Sequence, residues 1–324
     1  MIRLSRKIPG EKDVVVGFLG FHRQVDPVYN YISAPLATEL PVVVAELDRG
    51  DVPDLLFFSV FGPNGVEIQR EYELDPRYER CTKIFACEEN IRPPWGVCEY
   101  ALTSDRLVDP AHESAHLRVP NYVNYLFLSG HALPLTARSH WGTIIKPTRD
   151  PSEIRERKTK FCNFVYSNAS ARVRLLFYGM LSRYKKVDSA GRFMNNVGGP
   201  VPDKCAFVAD YKFTIAFENS RYPGYVSEKL LDPMMVDSVP IYWGDPGVHL
   251  DFNPRSFVDA NEPEGESLED HFNRVIDRIV YLDTDDDAYD AMVAEPWFPG
   301  NVLNSYCSPD RLLSFVRKIC EDRP

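Results

Sequence analysis

The stretch KFTIAFENSRYPGYVSEKLLDPMMVDSVPIYWGD, residues 212–245, decides the fold of this chain. Its first part, KFTIAFEN, is a compact apolar run typical of a buried β-strand, and its last part, VPIYWGD, is another. Between them, YVSEKLLDPMMVDS reads as a helix that follows a Pro-Gly turn at residues 223–224. A strand, a helix and a strand in this order predict a βαβ unit with parallel strands.

The same alternation of apolar runs and helical segments extends over the whole chain. We predict further strands at residues 13–21, 41–47, 54–62, 83–90, 160–168 and 256–260, and further helices at 171–185, 267–282 and 309–322. Residues 121–135 are aromatic-rich and ambiguous between helix and loop, and the polar residues 148–160 are typical of a linker or an exposed helix. The fold class is therefore α/β, with two facing Rossmann-like domains at residues 1–150 and 151–324.

The composition restricts the class of function. The 324 residues are 44% hydrophobic and 26% charged, as in soluble globular proteins, and the net charge of −10 argues against nucleic acid or an anionic membrane as the main partner. Seven cysteines without a C-x-x-C pair favour a reduced, cytoplasmic protein over a disulfide framework or a zinc site. No apolar run is long enough to span a bilayer, which leaves only peripheral membrane contact open.

Polar residues cluster where the strand of the opening stretch ends and its helix begins. Glu218 and Asn219 follow the strand, while Tyr225, Glu228 and Lys229 lie around the start of the helix. A helix start offers unpaired N–H groups to a phosphate, a carboxylate can accept ribose hydroxyls, and an ammonium can neutralise a diphosphate. On spacing alone, a helix cap at Glu228 and a solvated Lys229 explain the pattern equally well.

The residues themselves resemble a known family signature. The pieces are FEN at 217–219, YVSEK at 225–229 and VPIYWGDPGVHLDFNPRSFV at 239–258, with Ser227 where Thr is usual. They resemble the motif of the α1,3-fucosyltransferases of glycosyltransferase family 10, especially the bacterial enzymes that make Lewis-type antigens. The resemblance covers about residues 80–310.

The resemblance implies an inverting enzyme of the GT-B class that moves L-fucose from GDP-fucose to the GlcNAc of N-acetyllactosamine-type glycans, giving a Lewis x-type product. It implies a donor-binding C-terminal domain and an acceptor-side N-terminal domain that carries the general base. Alternatives are α1,3/1,4 transfer, another GT-B glycosyltransferase with a different acceptor, and a non-catalytic protein that binds a glycan or nucleotide.

The resemblance also implies roles for single residues. It assigns the base to Glu89 and donor binding to Arg174, Asn195, Asn219, Tyr225, Glu228 and Lys229. Arg174 and Lys229 would hold the diphosphate, Tyr225 the phosphates and Glu228 the ribose. Spacing alone does not separate Arg174 from Arg172 on the same predicted helix, and a plain loop explains Asn195 as well.

Two features of the sequence bear on the chemistry. Glu88 stands beside Glu89 where the family usually has glycine, but adjacent residues on a strand point to opposite faces, which favours Glu89 alone as the base. The acidic run DTDDD, residues 283–287, lacks the context of a metal-binding Asp-x-Asp pair and reads as a solvated turn. We therefore expect no required metal or cofactor, with Arg174 and Lys229 stabilising the departing diphosphate.

Overall fold

The computed structural model describes residues 1–6, 10–23, 25–26, 28, 30–62, 65, 72–123, 145–166, 171–192, 194–199 and 201–323. The chain forms two compact units, one of Met1–Pro134 together with Ser305–Pro324 and the other of Leu135–Asn304. The ambiguous segment 121–135 lies outside the described residues from position 124 onward.

The first unit is built on a seven-stranded sheet with the strand order β1-β3-β2-β4-β5-β6-β7. Only the edge strand β1 pairs antiparallel, with β3, and the other pairs are parallel. The strands are β1 (Ile2–Arg3), β2 (Val14–Leu19), β3 (Val42–Val44), β4 (Leu55–Phe58), β5 (Thr82–Cys87), β6 (Tyr100–Thr103) and β7 (His116–Arg118).

The core of this unit explains why its strands read as unbroken apolar runs. Every residue of β3 and β4 is buried, as expected for parallel strands that are covered on both faces. Helix α1 (Ser33–Glu39) and the last helix of the chain, α8 (Pro309–Glu321), pack together and share one hydrophobic core with these strands.

Helix α8 changes the division of the chain that the sequence predicts. The prediction places residues 151–324 in one domain, whereas residues 305–324 belong to the first unit. The physical reason is the apolar stripe of α8, which is buried against α1 and the strands of the first unit. An amphipathic pattern shows that a helix needs a partner surface, but it does not show which one.

The second unit is built on a five-stranded, fully parallel sheet with the order β12-β11-β10-β8-β9. Its strands are β8 (Lys160–Phe164), β9 (Val187–Ser189), β10 (Tyr211–Phe217), β11 (Val239–Trp243) and β12 (Val258–Asp259). Its helices are α2 (Pro151–Arg157), α3 (Arg172–Leu181), α4 (Lys204–Val208), α5 (Glu228–Met235), α6 (Leu268–Thr284) and α7 (Asp286–Ala294).

The α/β class is confirmed, because two largely parallel sheets alternate with helices along the described chain. The acidic run 283–287 is not the solvated turn that the sequence suggests. The side chain of Asp283 is buried and pairs with Lys185 and Lys212, while Asp285 caps α7 by accepting a hydrogen bond from the Ala288 amide. Within the described part of the chain, no helix combines the length and the apolar character that a membrane span requires.

Candidate functional site

The loop between β10 and α5 places the candidate donor residues. β10 and β11 run parallel, with Phe217 opposite Trp243 at their carboxyl ends. The chain then turns through Gly224, whose φ of 97° is a conformation that glycine adopts without strain. Ser227 caps α5, because its hydroxyl accepts a hydrogen bond from the Lys229 amide. Glu228 and Lys229 therefore lie in the first turn of a helix at the carboxyl edge of the sheet.

Glu218, at the end of β10, connects the sheet to this loop through hydrogen bonds with Ser227. Its carboxylate is fully buried, and Oε1 accepts hydrogen bonds from the Ser227 amide and hydroxyl at 2.8 Å each. The Lys229 ammonium lies 3.2 Å from the other carboxylate oxygen. The ion pair and the hydrogen bonds from Ser227 hold the Glu218 side chain in one position, so Glu218 acts as a structural anchor of the donor loop.

Gly244, just after β11, leaves the space that Glu218 occupies. A Cβ atom on this residue would lie 2.5 Å from the Glu218 Cγ atom and 2.8 Å from the Tyr242 hydroxyl. We expect Gly244→Ala to lower the free energy of unfolding by about 2–3 kcal/mol, measured by urea denaturation, because a packed interior resists overfilling.

Gly179→Ala is the matched control for this substitution. Gly179 lies in α3, and nothing lies within 4 Å of the position that a Cβ atom would occupy there, so alanine should keep or raise stability. Equal stability of Gly244→Ala and the parent would contradict the close packing of Glu218.

A cavity of about 300 Å³ opens above this loop within the second unit. Its polar walls are formed by Tyr166, Arg174, Lys204, Asn219, Glu228 and Lys229. A larger groove of about 610 Å³ lies beside β12, but two of its arginines are already paired, Arg255 with Glu295 and Arg274 with Glu266. The smaller cavity is therefore the better candidate for a ligand of high negative charge.

Arg174 is the most unusual residue of the cavity. Its side chain is only 2% exposed, its guanidinium lies 3.9 Å from the centre of the Tyr166 ring, and Nη2 donates to the Phe217 carbonyl at 3.0 Å. The buried Nε atom has no hydrogen-bond partner among the described residues. A buried cation without a matching anion is costly, so this arrangement is typical of a site that receives an anionic ligand.

Neighbouring opposite charges hold Glu228 and Lys229 in their ionised forms. Burial would raise the pKa of Glu228, but Lys229 and Lys204 outweigh it and the pKa is lowered. Burial would likewise lower the pKa of Lys229, but Glu218 and Glu228 outweigh it and the pKa is raised. The cavity thus presents an ionised carboxylate and ionised cations across the neutral pH range.

The structure brings together four of the six residues expected to bind the donor, namely Arg174, Asn219, Glu228 and Lys229. Tyr225 is buried, with its carbonyl accepting from the Tyr242 hydroxyl at 3.3 Å, and it does not line the cavity. Asn195 also lies outside the lining.

The side chain of Asn195 organises its own loop. Its amide group donates to the carbonyls of Gly191 and Gly199 and accepts from the amides of Val197 and Gly199. This pattern fits the plain loop that the sequence left open as an explanation.

Sequence reasoning missed Lys204. It starts the five-residue helix α4, which is too short to show a helical period, and its partner Asp232 lies 28 positions away. The one local signal is Asp203, which caps α4 by accepting from the Ala206 amide. That signal marks a helix start but not a binding site.

The candidate base lies in the first unit, just after β5. The Glu88 carboxylate accepts a hydrogen bond from the hydroxyl of the buried Tyr31, and burial together with Glu88 raises the pKa of Tyr31. The Asn121 side chain donates to the Glu88 carbonyl at 3.3 Å, and the Glu89 carbonyl accepts from the Ile91 amide at 2.8 Å. The Glu88 side chain is thus engaged with Tyr31, and Glu89 follows it in the loop after β5.

The described residues contain no group of three or more His, Cys, Asp or Glu side chains arranged to hold a metal ion.

Two sequence-family models match this chain. Residues 154–294 match "Glycosyltransferase family 10 (fucosyltransferase) C-term", and residues 16–125 match "Alpha-(1,3)-fucosyltransferase FucT N-terminal domain". Together the two matched ranges account for most of the chain.

Individual relatives agree with these matches. The alpha-(1,3)-fucosyltransferase FucT of Helicobacter pylori is 30% identical over 269 residues, which is 76% of this chain and 54% of the relative. A putative fucosyltransferase of Acanthamoeba polyphaga mimivirus is 32% identical over 169 residues, which is 48% of this chain and 26% of the relative. The chain therefore spans about half the length of the first relative and a quarter of the second.

A solved structure agrees at the level of the fold. The crystal structure of an alpha1,3-fucosyltransferase with GDP-fucose aligns with a TM-score of 0.69 and 24% identity, covering 98% of this chain and 94% of that one. The predicted two-domain GT-B class is thereby confirmed.

Proposed function

Since this chain belongs to glycosyltransferase family 10, the fucosyltransferases, we propose that it is a GDP-fucose-dependent α1,3-fucosyltransferase. It transfers L-fucose with inversion to the GlcNAc of an N-acetyllactosamine-type glycan. The family membership supports the donor and the reaction, and the likeness to the Helicobacter enzyme supports the linkage.

The buried guanidinium of Arg174 is the observation that carries this proposal. It lines the 300 Å³ cavity next to Lys229 and the ionised Glu228, and its Nε atom has no partner within the described ranges of the chain. A guanidinium binds phosphate oxygens with two parallel hydrogen bonds, and a carboxylate accepts the hydroxyls of a ribose. A nucleoside diphosphate contains both the phosphates and the ribose that these side chains bind.

The cations of the cavity stabilise the leaving group, which is the diphosphate of GDP. Negative charge develops on the diphosphate as the bond to fucose breaks, and fixed positive charges in a buried site stabilise it at little reorganisation cost. Arg174 and Lys229 are already ordered by Phe217 and Glu218. They supply this stabilisation without a required divalent metal.

Glu89 acts on the acceptor. Its carboxylate takes the proton of the acceptor hydroxyl, and the hydroxyl oxygen forms the new bond to C1 of fucose. The bond between C1 and the diphosphate oxygen breaks, and its electron pair leaves on GDP. Attack from the side opposite to the leaving group inverts the configuration at C1, and the general base contributes roughly 100- to 10,000-fold in rate.

The test is fucosyl transfer from GDP-fucose to N-acetyllactosamine in the presence of EDTA. We expect a trisaccharide in which fucose is linked to O3 of GlcNAc, identified by mass spectrometry and NMR. Binding of GDP-fucose without any product would keep the donor and refute this acceptor. Activity that EDTA removes and Mn²⁺ restores would refute metal-free transfer, and absence of GDP-fucose binding would refute the proposed function.

A further inference from the structure

We propose that Lys204 is a further donor-site residue. Asp232 holds Lys204 in place, so that the Lys204 ammonium neutralises negative charge on the bound nucleoside diphosphate and orients Glu228. This inference rests on the proposed function, because it concerns the same cavity. It adds a third cation that neither the sequence motif nor the family signature indicates.

The position of Lys204 is fixed by a short ion pair. Its Nζ atom lies 2.7 Å from Oδ2 of Asp232, a carboxylate that is itself more than nine-tenths buried. In the part of the chain that the structure describes, Oδ1 of Asp232 has no hydrogen-bond partner, so the ion pair with Lys204 is the main stabilisation of this carboxylate. An ion pair in such surroundings holds one geometry because breaking it would leave a buried charge alone.

Lys204 also faces the cavity. Lys204 lines the cavity together with Arg174, Glu228 and Lys229, and a third of its side chain is exposed. Asp232 lies four residues after Glu228 on α5, so both carboxylates share one face of the helix. Lys204 is thus placed beside both of them.

The charge balance around Glu228 shows why this lysine matters. Among the described residues, the cations Arg174, Lys204 and Lys229 stand against the carboxylates of Glu218, Glu228 and Asp232. Without Lys204 the carboxylates would outnumber the cations. A diphosphate would then enter a site of net negative charge, which would repel it strongly because charges interact more strongly away from water. Among the described residues, the polar groups that surround Glu228 are Ser227 at the cap of α5, Lys229 and Asp232 on α5, Lys204 on α4, Arg174 on α3, Tyr166 after β8, and Glu218 and Asn219 after β10.

The interaction between Lys204 and Glu228 also has a consequence for pH. Lys204 and Lys229 together keep the pKa of Glu228 below its usual value despite burial. Removing Lys204 should raise that pKa, so Glu228 becomes protonated at a higher pH than in the parent. A protonated Glu228 accepts ribose hydroxyls poorly, and the loss of donor binding on acidification should start at a higher pH.

The experiment is calorimetric titration of GDP-fucose into the full chain from pH 5.5 to 8.5, in EDTA and without acceptor. GDP-fucose is the probe because its diphosphate does not titrate in this range. Lys204→Met should weaken binding about 10- to 30-fold at pH 7.5 and move the acidic loss of binding upward. Lys204→Arg should recover most of the affinity, and Asp232→Asn should weaken it in the same direction.

Lys160→Met is the control, because Lys160 is an exposed lysine of the same unit that pairs with Asp210. Its affinity should equal that of the parent. If a folded Lys204→Met binds GDP-fucose within twofold of the parent at every pH, Lys204 is not a donor-site residue, and the proposed function stands. If the parent itself does not bind GDP-fucose, both proposals fail. Should Lys204→Met not fold, unchanged affinity and pH profile in Asp232→Asn would overturn the inference.

Discussion

Replacing Arg174 with alanine should reduce the affinity for GDP-fucose about 100-fold or more and remove measurable fucosyl transfer. The guanidinium is buried and is ordered by the Tyr166 ring and the Phe217 carbonyl, so its hydrogen bonds to a phosphate form with little loss of entropy. Hydrogen bonds in which one partner is ionised are roughly twice as strong as neutral ones. Calorimetric titration of GDP-fucose and initial transfer rates measure the two effects.

Arg172 provides the matched control for this prediction. It lies on the same helix two positions earlier and is exposed, so Arg172→Ala should leave affinity and rate unchanged. Arg174→Lys keeps the charge but not the fork of donors, and we expect an intermediate loss. A folded Arg174→Ala protein that binds GDP-fucose within threefold of the parent would show that this cavity does not hold the diphosphate.

Glu89→Gln should lower kcat by roughly 100- to 10,000-fold while the dissociation constant of GDP-fucose stays within about twofold. The amide keeps the size of the side chain but cannot take the proton of the acceptor hydroxyl. A split between an unchanged donor affinity and a lost rate is the signature of a base that acts on the acceptor. Binding by calorimetry and steady-state kinetics with N-acetyllactosamine separate the two quantities.

Glu113→Gln and Glu88→Gln complete this experiment. Glu113 is an exposed glutamate of the same unit, and its replacement should change neither quantity. Glu88 accepts a hydrogen bond from Tyr31, so Glu88→Gln should have a smaller effect on kcat than Glu89→Gln. The reverse ranking, with Glu88→Gln slow and Glu89→Gln active, would assign the base to Glu88.

Part of the site can be predicted from local sequence. The apolar run that ends at Glu218 predicts a strand, the glycine turn predicts a loop, and the capping Ser227 predicts a helix start. Each of these signals depends only on neighbouring residues. They are sufficient to locate Glu228 and Lys229 at the carboxyl edge of the sheet.

Other parts depend on contacts between distant residues and cannot be predicted in this way. Arg174 and Arg172 have the same chemistry, and only the packing of α3 on the sheet buries one and exposes the other. The pairing of Lys204 with Asp232 joins two helices, and the burial of Tyr225 follows from the packing of its loop. Local pattern gives none of these three outcomes, because each is decided by tertiary contacts.

The packing of α8 has a consequence for how the chain acquires its structure on the ribosome. The second unit is one continuous stretch and can fold as soon as it has emerged, whereas the first unit lacks Leu312, Phe315, Val316 and Ile319 of its core until α8 has also been synthesised. The nascent first unit therefore exposes an apolar surface while the second unit, residues 135–304, is being synthesised. We expect this interval to be when chaperones bind and when misassembly competes with folding.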